Sequence, residues 1–227
     1  AELDIPQGQP GDGGLTGQLV QAHRLATRPR PSAKELSEAL AFYHAVEGVL
    51  GGELWDVIVD VACAHGLLSL LWLAHGRAKR VVQIDKKFPP SLASMEAAWG
   101  DLLPSHADTV ERLEEDFRGC LPRVLRAAGA GAGMLVVASH ACGALTDDVL
   151  AACAEHGVAC AVMPCCHVDT RDDPARGQVA HAAAGLGIPL GAAMELVRMG
   201  RMQERGYEVW WRAIDAKVTP DNRLLIC

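Results

Sequence analysis

The segment that decides the fold covers residues 56–66 and reads DVIVDVACAHG. Its first part, residues 56–61, is a short apolar run, which predicts a buried β-strand. A turn of mostly small residues follows at 62–66, and residues 67–75 then have the apolar spacing of a helix. A strand, a tight turn and a helix in this order indicate a βαβ unit and therefore a parallel sheet.

Strands and helices continue to alternate along the chain. Short apolar runs predict four further strands, at residues 80–84, 109–113, 134–139 and 158–163. Segments with helical spacing of apolar residues predict helices between them, at 89–99, 121–128 and 145–156. This alternation predicts an α/β fold in which these strands are parallel.

The C-terminal part of the chain has a different pattern. Residues 185–205 are mostly helical in character, whereas residues 207–214 alternate between apolar and polar side chains, as a strand does. A final apolar strand is predicted at 223–227, after the short turn at 218–222. We therefore expect a mostly parallel seven-stranded sheet that ends in an antiparallel hairpin at its edge.

The N-terminal part divides into a tail and the start of the domain. Residues 1–30 are rich in Gly, Pro and Gln at their beginning, which predicts an irregular N-terminal tail. Residues 31–227 are predicted to form one domain that starts with a helix. Ser32 and Glu35 have the spacing of a capping box at the start of that helix, and the glycines at 51–52 end it.

Composition limits the class of protein. The chain has 227 residues, 50% of them apolar, with a net charge of −7, which disfavours general electrostatic binding of duplex nucleic acid. No run of about 18 apolar residues occurs, so no membrane insertion is expected, and no secretory signal is visible. The eight cysteines predict free thiols in a reducing intracellular compartment, either the cytoplasm or an organelle interior.

Polar residues mark the ends of the predicted parallel strands. Asp60, Asp85, Asp116, His140 and Cys165 follow or close successive strands, at intervals of 25, 31, 24 and 25 residues. These intervals match one strand-plus-helix unit, so each residue falls at the carboxyl edge of the sheet. Ligands of open α/β sheets bind at that edge, which makes these residues candidates for a site.

The first of these loops resembles a known cofactor-binding loop. Asp60 and the following residues resemble the acidic-x-Gly-x-Gly-x-Gly loop of class I S-adenosylmethionine-dependent methyltransferases. Ala62 and Ala64 stand at the first two glycine positions, and Gly66 stands at the third. The resemblance implies a Rossmann-like fold and S-adenosylmethionine as the cofactor, with Asp60, Ala62 and Gly66 around its methionine moiety.

The resemblance assigns further cofactor contacts at the next two strand ends. It implies that Asp85 accepts hydrogen bonds from both ribose hydroxyls, a role that suits a carboxylate because its two oxygens match a diol. It also implies that Asp116 binds the adenine amino group and that Phe117 contacts the adenine ring.

Two more motifs follow the fourth and fifth predicted strands. Residues 139–147 read SHACGALTD, and residues 164–167 read PCCH. The pair resembles the His-x-Cys-Gly and Cys-Cys-His motifs of a methyltransferase-like subfamily that includes eukaryotic tRNA 2′-O-methyltransferases. The resemblance places four residues on the substrate side, namely His140, Cys142, Cys165 and His167. His140 is either a general base or a residue that only orients the substrate.

A zinc site is an alternative use of the same cysteines and histidines, since sulfur and imidazole are typical zinc ligands. However, the segment has no Cys-x-x-Cys spacing, and adjacent cysteines such as Cys165 and Cys166 rarely bind one ion together. We therefore predict no metal at this cluster.

The sequence as a whole predicts S-adenosylmethionine-dependent methyl transfer to an unidentified acceptor: an RNA 2′-hydroxyl, a small molecule or a protein. The alternative is a non-catalytic methyltransferase-like subunit of a larger protein complex, which the alanines in the glycine loop motivate. A nicotinamide-dependent oxidoreductase is disfavoured because the Gly-x-Gly-x-x-Gly spacing is absent.

Overall fold

The computed structural model describes residues 14–103, 109–128, 133–139, 143–164, 174–220 and 222–227. In this part of the chain a seven-stranded sheet is flanked by α-helices. The strands are β1 (Trp55–Val61), β2 (Ala78–Asp85), β3 (Val110–Glu114), β4 (Met134–Ala138), β5 (Ala159–Val162), β6 (Trp210–Ala213) and β7 (Arg223–Ile226). The helices are α1 (Leu15–Leu25), α2 (Ala33–Leu50), α3 (Leu67–Ala74), α4 (Pro90–Trp99), α5 (Phe117–Ala128), α6 (Ala144–His156), α7 (Pro174–Leu186) and α8 (Leu190–Glu204).

The order of strands across the sheet is β3-β2-β1-β4-β5-β7-β6. Strands β1 to β5 run parallel, whereas β7 is antiparallel to both of its neighbours, so that Leu225 lies opposite Val162 on one side and Trp211 on the other. The predicted α/β class, the mostly parallel seven-stranded sheet and the C-terminal hairpin are confirmed. The order reverses between β1 and β4, and ligands of such Rossmann-like sheets bind at that reversal.

Side chains that alternate along the strands build a separate core on each face of the sheet. On one face Ile58 and Val81 pack with apolar residues of α2 and α3. On the other face Val57 and Val59 pack with residues of α5 and α6. This period of two is the ordinary consequence of strand geometry, and burial on both faces explains the continuous apolar runs in the sequence.

The capping box predicted for the first helix of the domain is present at the start of α2. Ser32 Oγ accepts the N–H of Glu35 at 3.2 Å, and Glu35 Oε2 accepts the N–H of Ser32 at 2.6 Å. Gly51, with φ 75°, ends the helix in the left-handed conformation.

The prediction of an irregular tail over residues 1–30 is wrong for residues 15–25, which form α1. Leu19 is fully buried on this helix, and Trp99 Nε1 donates to its carbonyl at 3.1 Å. The buried stripe includes polar Thr16 and His23, and no side chain caps the helix. The apolar periodicity is therefore too weak to be recognised from the sequence.

Two other helix boundaries differ from the predictions. The helix predicted over 185–205 corresponds to α8 and the last two residues of α7, and residues 174–184 of α7 were not predicted as helical from the sequence. Gly187, with φ 66°, separates the two helices. Helix α5 starts at Phe117 instead of residue 121, because Asp116 accepts the N–H of Arg118 at 3.0 Å and caps the first turn.

The five cysteines in the described part of the chain are free thiols, and four of them are buried. None of the described helices combines the length and the apolar character that crossing a membrane requires.

Candidate functional site at the carboxyl edge of the sheet

The turn between β1 and α3 has an unusual backbone. Ala62, Ala64 and Gly66 have φ of 55°, 46° and 67°, so every second residue lies in the left-handed region. An L-residue pays about 1–2 kcal/mol for this conformation, whereas glycine does not. The turn therefore keeps the shape that glycines favour, although alanine occupies two of the three positions.

At the third position a Cβ would collide with the side chain of Gln83. A Cβ on Gly66 would lie 2.3 Å from Nε2 of Gln83. Gln83 is buried on β2 and donates to the Gly66 carbonyl at 3.3 Å and to Ser69 Oγ at 3.0 Å. The turn is thus packed against the neighbouring strand.

Asp60 stabilises the turn through a hydrogen bond to the first turn of α3. The residue is 1% exposed, and its Oδ2 accepts the N–H of Ser69 in the first turn of α3 at 3.1 Å. Burial raises the pKa of Asp60 to about 7, against the hydrogen bonds from Ser69, and the nearby charge of Asp85 acts in the same direction as burial. Asp60 therefore connects β1 to the start of α3 beneath the turn.

Asp85, at the end of β2, stabilises the turn through a hydrogen bond to its backbone. Its Oδ2 accepts the N–H of Ala64 at 2.8 Å, and its Oδ1 accepts the N–H of Lys87 at 3.2 Å. A carboxylate offers about four lone-pair positions, so two accepted bonds leave capacity for further donors. Asp85 is half-buried, which leaves part of it open to a ligand.

His65 connects the same turn to two helices. Its Nδ1 lies 2.6 Å from Ser91 Oγ on α4, and its Nε2 lies 2.9 Å from Glu35 Oε1 on α2. Burial raises the pKa of Glu35, but the hydrogen bonds from Ser32 and His65 outweigh it and lower the pKa below its ordinary value. Sequence reasoning missed this link, and its only signal was one histidine among the small residues of the turn.

Asp116 and Phe117 follow β3 at the neighbouring strand end. Asp116 Oδ2 lies 2.9 Å from Lys86 Nζ, a residue that follows β2, and this hydrogen bond is the main reason that the pKa of Asp116 is lowered. The ring of Phe117 is 6% exposed and packs in the core on the α5 side of the sheet. Asp116 is thus joined to the loop after Asp85, while Phe117 has little free surface.

Five of the six residues predicted to bind the cofactor lie together at one edge of the sheet, namely Asp60, Ala62, Gly66, Asp85 and Asp116. The sixth, Phe117, lies in the core beside them. The four residues predicted on the substrate side, His140, Cys142, Cys165 and His167, lie outside the described residues, as does Cys166. In the described ranges no group of three or more His, Cys, Asp or Glu side chains is arranged to hold a metal ion.

No protein-family profile matches the chain, and no curated protein is significantly similar to it in sequence. Solved structures are similar in fold. A protein from Corynebacterium glutamicum has a TM-score of 0.53 and 14% identity, and the match covers 92% of this chain and 88% of that one.

Two further similar structures are methyltransferases. An O-methyltransferase family protein from Burkholderia thailandensis has a TM-score of 0.49 and 15% identity, over 84% of this chain and 56% of that one, so this chain spans little more than half of its length. An S-adenosylmethionine-dependent methyltransferase from Geobacter sulfurreducens, in complex with S-adenosyl-L-homocysteine, has a TM-score of 0.46 and 15% identity, over 94% and 77% of the two chains. Identities this low show similarity of fold alone. The conclusion about the fold relies on the Corynebacterium protein, because the TM-scores of the other two structures are below 0.5.

Proposed function

We propose that this protein is an S-adenosylmethionine-dependent methyltransferase that binds its cofactor at the carboxyl ends of β1, β2 and β3. The observation that carries the proposal is the left-handed turn of Ala62, Ala64 and Gly66, which the bond from Ala64 N–H to Asp85 at 2.8 Å fixes in place. Strained backbone of this kind persists where the surrounding structure enforces it, and it is concentrated at binding sites.

The residues at this edge fit the parts of the cofactor. Asp85 retains acceptor positions for the two ribose hydroxyls, and the backbone of residues 62–66 would lie against the methionine moiety. Asp116 would accept from the adenine amino group beside Phe117. The bound cofactor supplies an electrophilic methyl group on a sulfonium sulfur.

The acceptor in this proposal is a nucleophile of an RNA, of a small molecule or of a protein. His140 and Cys142 follow β4 in the sequence, and Cys165 and His167 follow β5, so we assign these four residues to the acceptor side on their sequence positions. Methyl transfer is an in-line displacement, in which positioning of the nucleophile supplies much of the rate. His140 would orient the acceptor or remove its proton.

Calorimetric titration with S-adenosylhomocysteine tests the proposal. We expect micromolar binding by the wild-type protein and a loss of about tenfold or more in Asp85→Ala, because bonds to a charged group are lost. Asp85→Asn keeps the size of the side chain and an acceptor for the Ala64 N–H, so it separates loss of the ligand contact from collapse of the turn. Asp101→Ala is the matched control, since Asp101 is exposed in the turn after α4.

Absence of binding by a folded wild-type sample would contradict the proposal. This result would favour the alternative that the sequence left open, a non-catalytic methyltransferase-like subunit of a larger complex. Equal affinity of the wild type and both Asp85 variants would contradict the assigned role of Asp85.

A further inference from the structure

A groove lies between α6 and α8. Its main cavity has a volume of about 300 Å³. A second cavity of about 170 Å³ shares the lining residues Asp147 and Arg201 with the first. The charged residues that line the main cavity are Asp147, Arg198, Arg201, Glu204 and Arg205.

Helix α8 presents arginines to this groove along one face. Arg198 and Arg201 are three residues apart in α8, which places them on the same side of the helix, and Arg205 directly follows the end of α8 and lines the same cavity. Arg201 and Arg205 are exposed, whereas Arg198 is 3% exposed. The groove therefore has two exposed guanidinium groups at its rim and one beneath them, in a chain whose net charge is −7.

One carboxylate faces most of this positive charge. Arg198 binds Asp147 with two bonds, Nε to Oδ1 and Nη2 to Oδ2, each 3.0 Å long. Arg176 of α7 also donates to Asp147, and Arg201 Nη1 lies 4.0 Å from Asp147 Oδ1. Burial alone would raise the pKa of Asp147, but Arg198 and Arg176 lower it below its ordinary value.

The other acidic groups of the groove offset little of the positive charge of its arginines. Asp148, which lines the smaller cavity, is paired with Arg118 of α5 at 2.7 Å. Glu204 is exposed at the end of α8. Among the lining residues of the main cavity, three guanidinium groups therefore stand against two carboxylates.

Arg198 has an unused donor. Its Nη1 is buried and has no hydrogen-bond partner in the part of the chain that the structure describes. A buried donor that has no acceptor is costly, particularly when it carries charge. Arg198 itself lines the main cavity, so the positive charge of its guanidinium group adds to that of Arg201 and Arg205 there.

The groove starts beside the carboxyl edge of the sheet. Helix α6 begins at Ala144, a few residues after the end of β4, and Arg198 Nη2 donates to the carbonyl of Gly143 at 3.2 Å. Arg198 of α8 is thus bonded to the residue that directly precedes α6.

We infer that this groove binds a phosphate group of the methyl acceptor, with Arg201 and Arg205 as direct contacts and Arg198 beneath them. The inference depends on the proposed function in one respect, which is that it identifies the bound molecule as the methyl acceptor. Arginine suits phosphate because its planar fork donates two bonds to a pair of oxygens, and several guanidinium groups match a multiply charged group. The phosphate belongs either to a phosphorylated small molecule or to the backbone of an RNA strand.

The test compares two double variants with the same change in charge. Arg201→Gln/Arg205→Gln removes the exposed groove contacts, and Arg126→Gln/Arg212→Gln removes two exposed arginines of α5 and β6. Inorganic pyrophosphate is titrated by calorimetry, and a labelled single-stranded oligoribonucleotide by fluorescence anisotropy, both at constant ionic strength. We expect the groove variant to lose about tenfold or more in affinity, while the control keeps wild-type affinity.

Each outcome decides one question. Groove-dependent binding of both probes assigns the phosphate to RNA, and groove-dependent binding of pyrophosphate alone assigns it to a small molecule. The inference is overturned if the wild type binds neither probe, or if both double variants lose affinity equally. Titration of the wild type with S-adenosylhomocysteine is a separate readout: binding of that ligand without phosphate binding would leave the proposed function intact and overturn only this inference.

Discussion

At the scale of single residues, the main feature is the burial of the Asp60 carboxyl group away from water. Asp60 is 1% exposed, and its pKa is raised to about 7 from an ordinary 3.8. The neutral form is favoured because burial penalises the charge more than the bonds from Ser69 stabilise it. At neutral pH the folded protein is therefore close to the point where this group ionises.

This raised pKa predicts a pH dependence of stability. Between about pH 4 and pH 7 the folded state binds a proton at Asp60 that the unfolded state has released, so the free energy of unfolding falls as pH rises through this window. A shift of this size corresponds to roughly 4 kcal/mol at most. In Asp60→Asn this contribution is absent, and urea denaturation at a series of pH values measures the difference between the two proteins.

We expect the stability of Asp60→Asn relative to the wild type to increase steadily from pH 4 to pH 7 and to level off above that range. Asparagine keeps an acceptor for the Ser69 N–H, so the variant retains the link to α3. A difference that stays constant across this range would mean that Asp60 is ionised throughout.

At the scale of elements, the turn between β1 and α3 predicts opposite effects on stability for a substitution to glycine and a substitution from glycine. Ala64→Gly relieves a left-handed alanine and should raise the free energy of unfolding by about 0.5–1 kcal/mol, after allowance for the flexibility of glycine in the unfolded chain. Gly66→Ala places a Cβ against Gln83 and should lower it by about 3 kcal/mol. Thermal and urea denaturation measure both changes.

Gly76→Ala is a useful comparison for this pair. Gly76 has φ 63°, but a Cβ there would meet no atom within 4 Å. Its cost should therefore be only that of a left-handed alanine, about 1–2 kcal/mol. Equal losses in Gly66→Ala and Gly76→Ala would show that the contact with Gln83 does not contribute.

At the scale of the whole molecule, α1 is an integral part of the domain. Leu19 is fully buried, and its carbonyl accepts the indole N–H of Trp99, which is also fully buried. Leu19→Ala should lower the free energy of unfolding by about 2–4 kcal/mol, as large-to-small changes in a packed core do. Tryptophan fluorescence and circular dichroism should report one coincident transition in both proteins.

Leu25→Ala is the control in the same helix, since Leu25 is 74% exposed. We expect a change within about 0.5 kcal/mol for this surface position. If Leu19→Ala were equally mild, α1 would not be packed against the domain in solution.

The site could be predicted from the sequence only where its residues are close along the chain or mark a strand end. Ala62 and Gly66 lie in the turn that follows Asp60 on β1, and Asp85 ends the next strand, so strand periodicity was enough to place them at one edge. The bonds from His65 to Glu35 and Ser91 join residues 30 and 26 positions apart, which no local pattern encodes.

The sequence by itself determined the order of the strands and of helices α2 to α6, the capping box of α2 and the C-terminal hairpin. Apolar periodicity and capping are properties of neighbouring residues, so they can be read along the chain. Only the tertiary structure decided that α1 packs against Trp99, that Asp60 is buried beneath the turn, and that Arg198 and Asp147 meet across the groove. These depend on contacts between distant segments, which exist only once the sheet has brought its helices together.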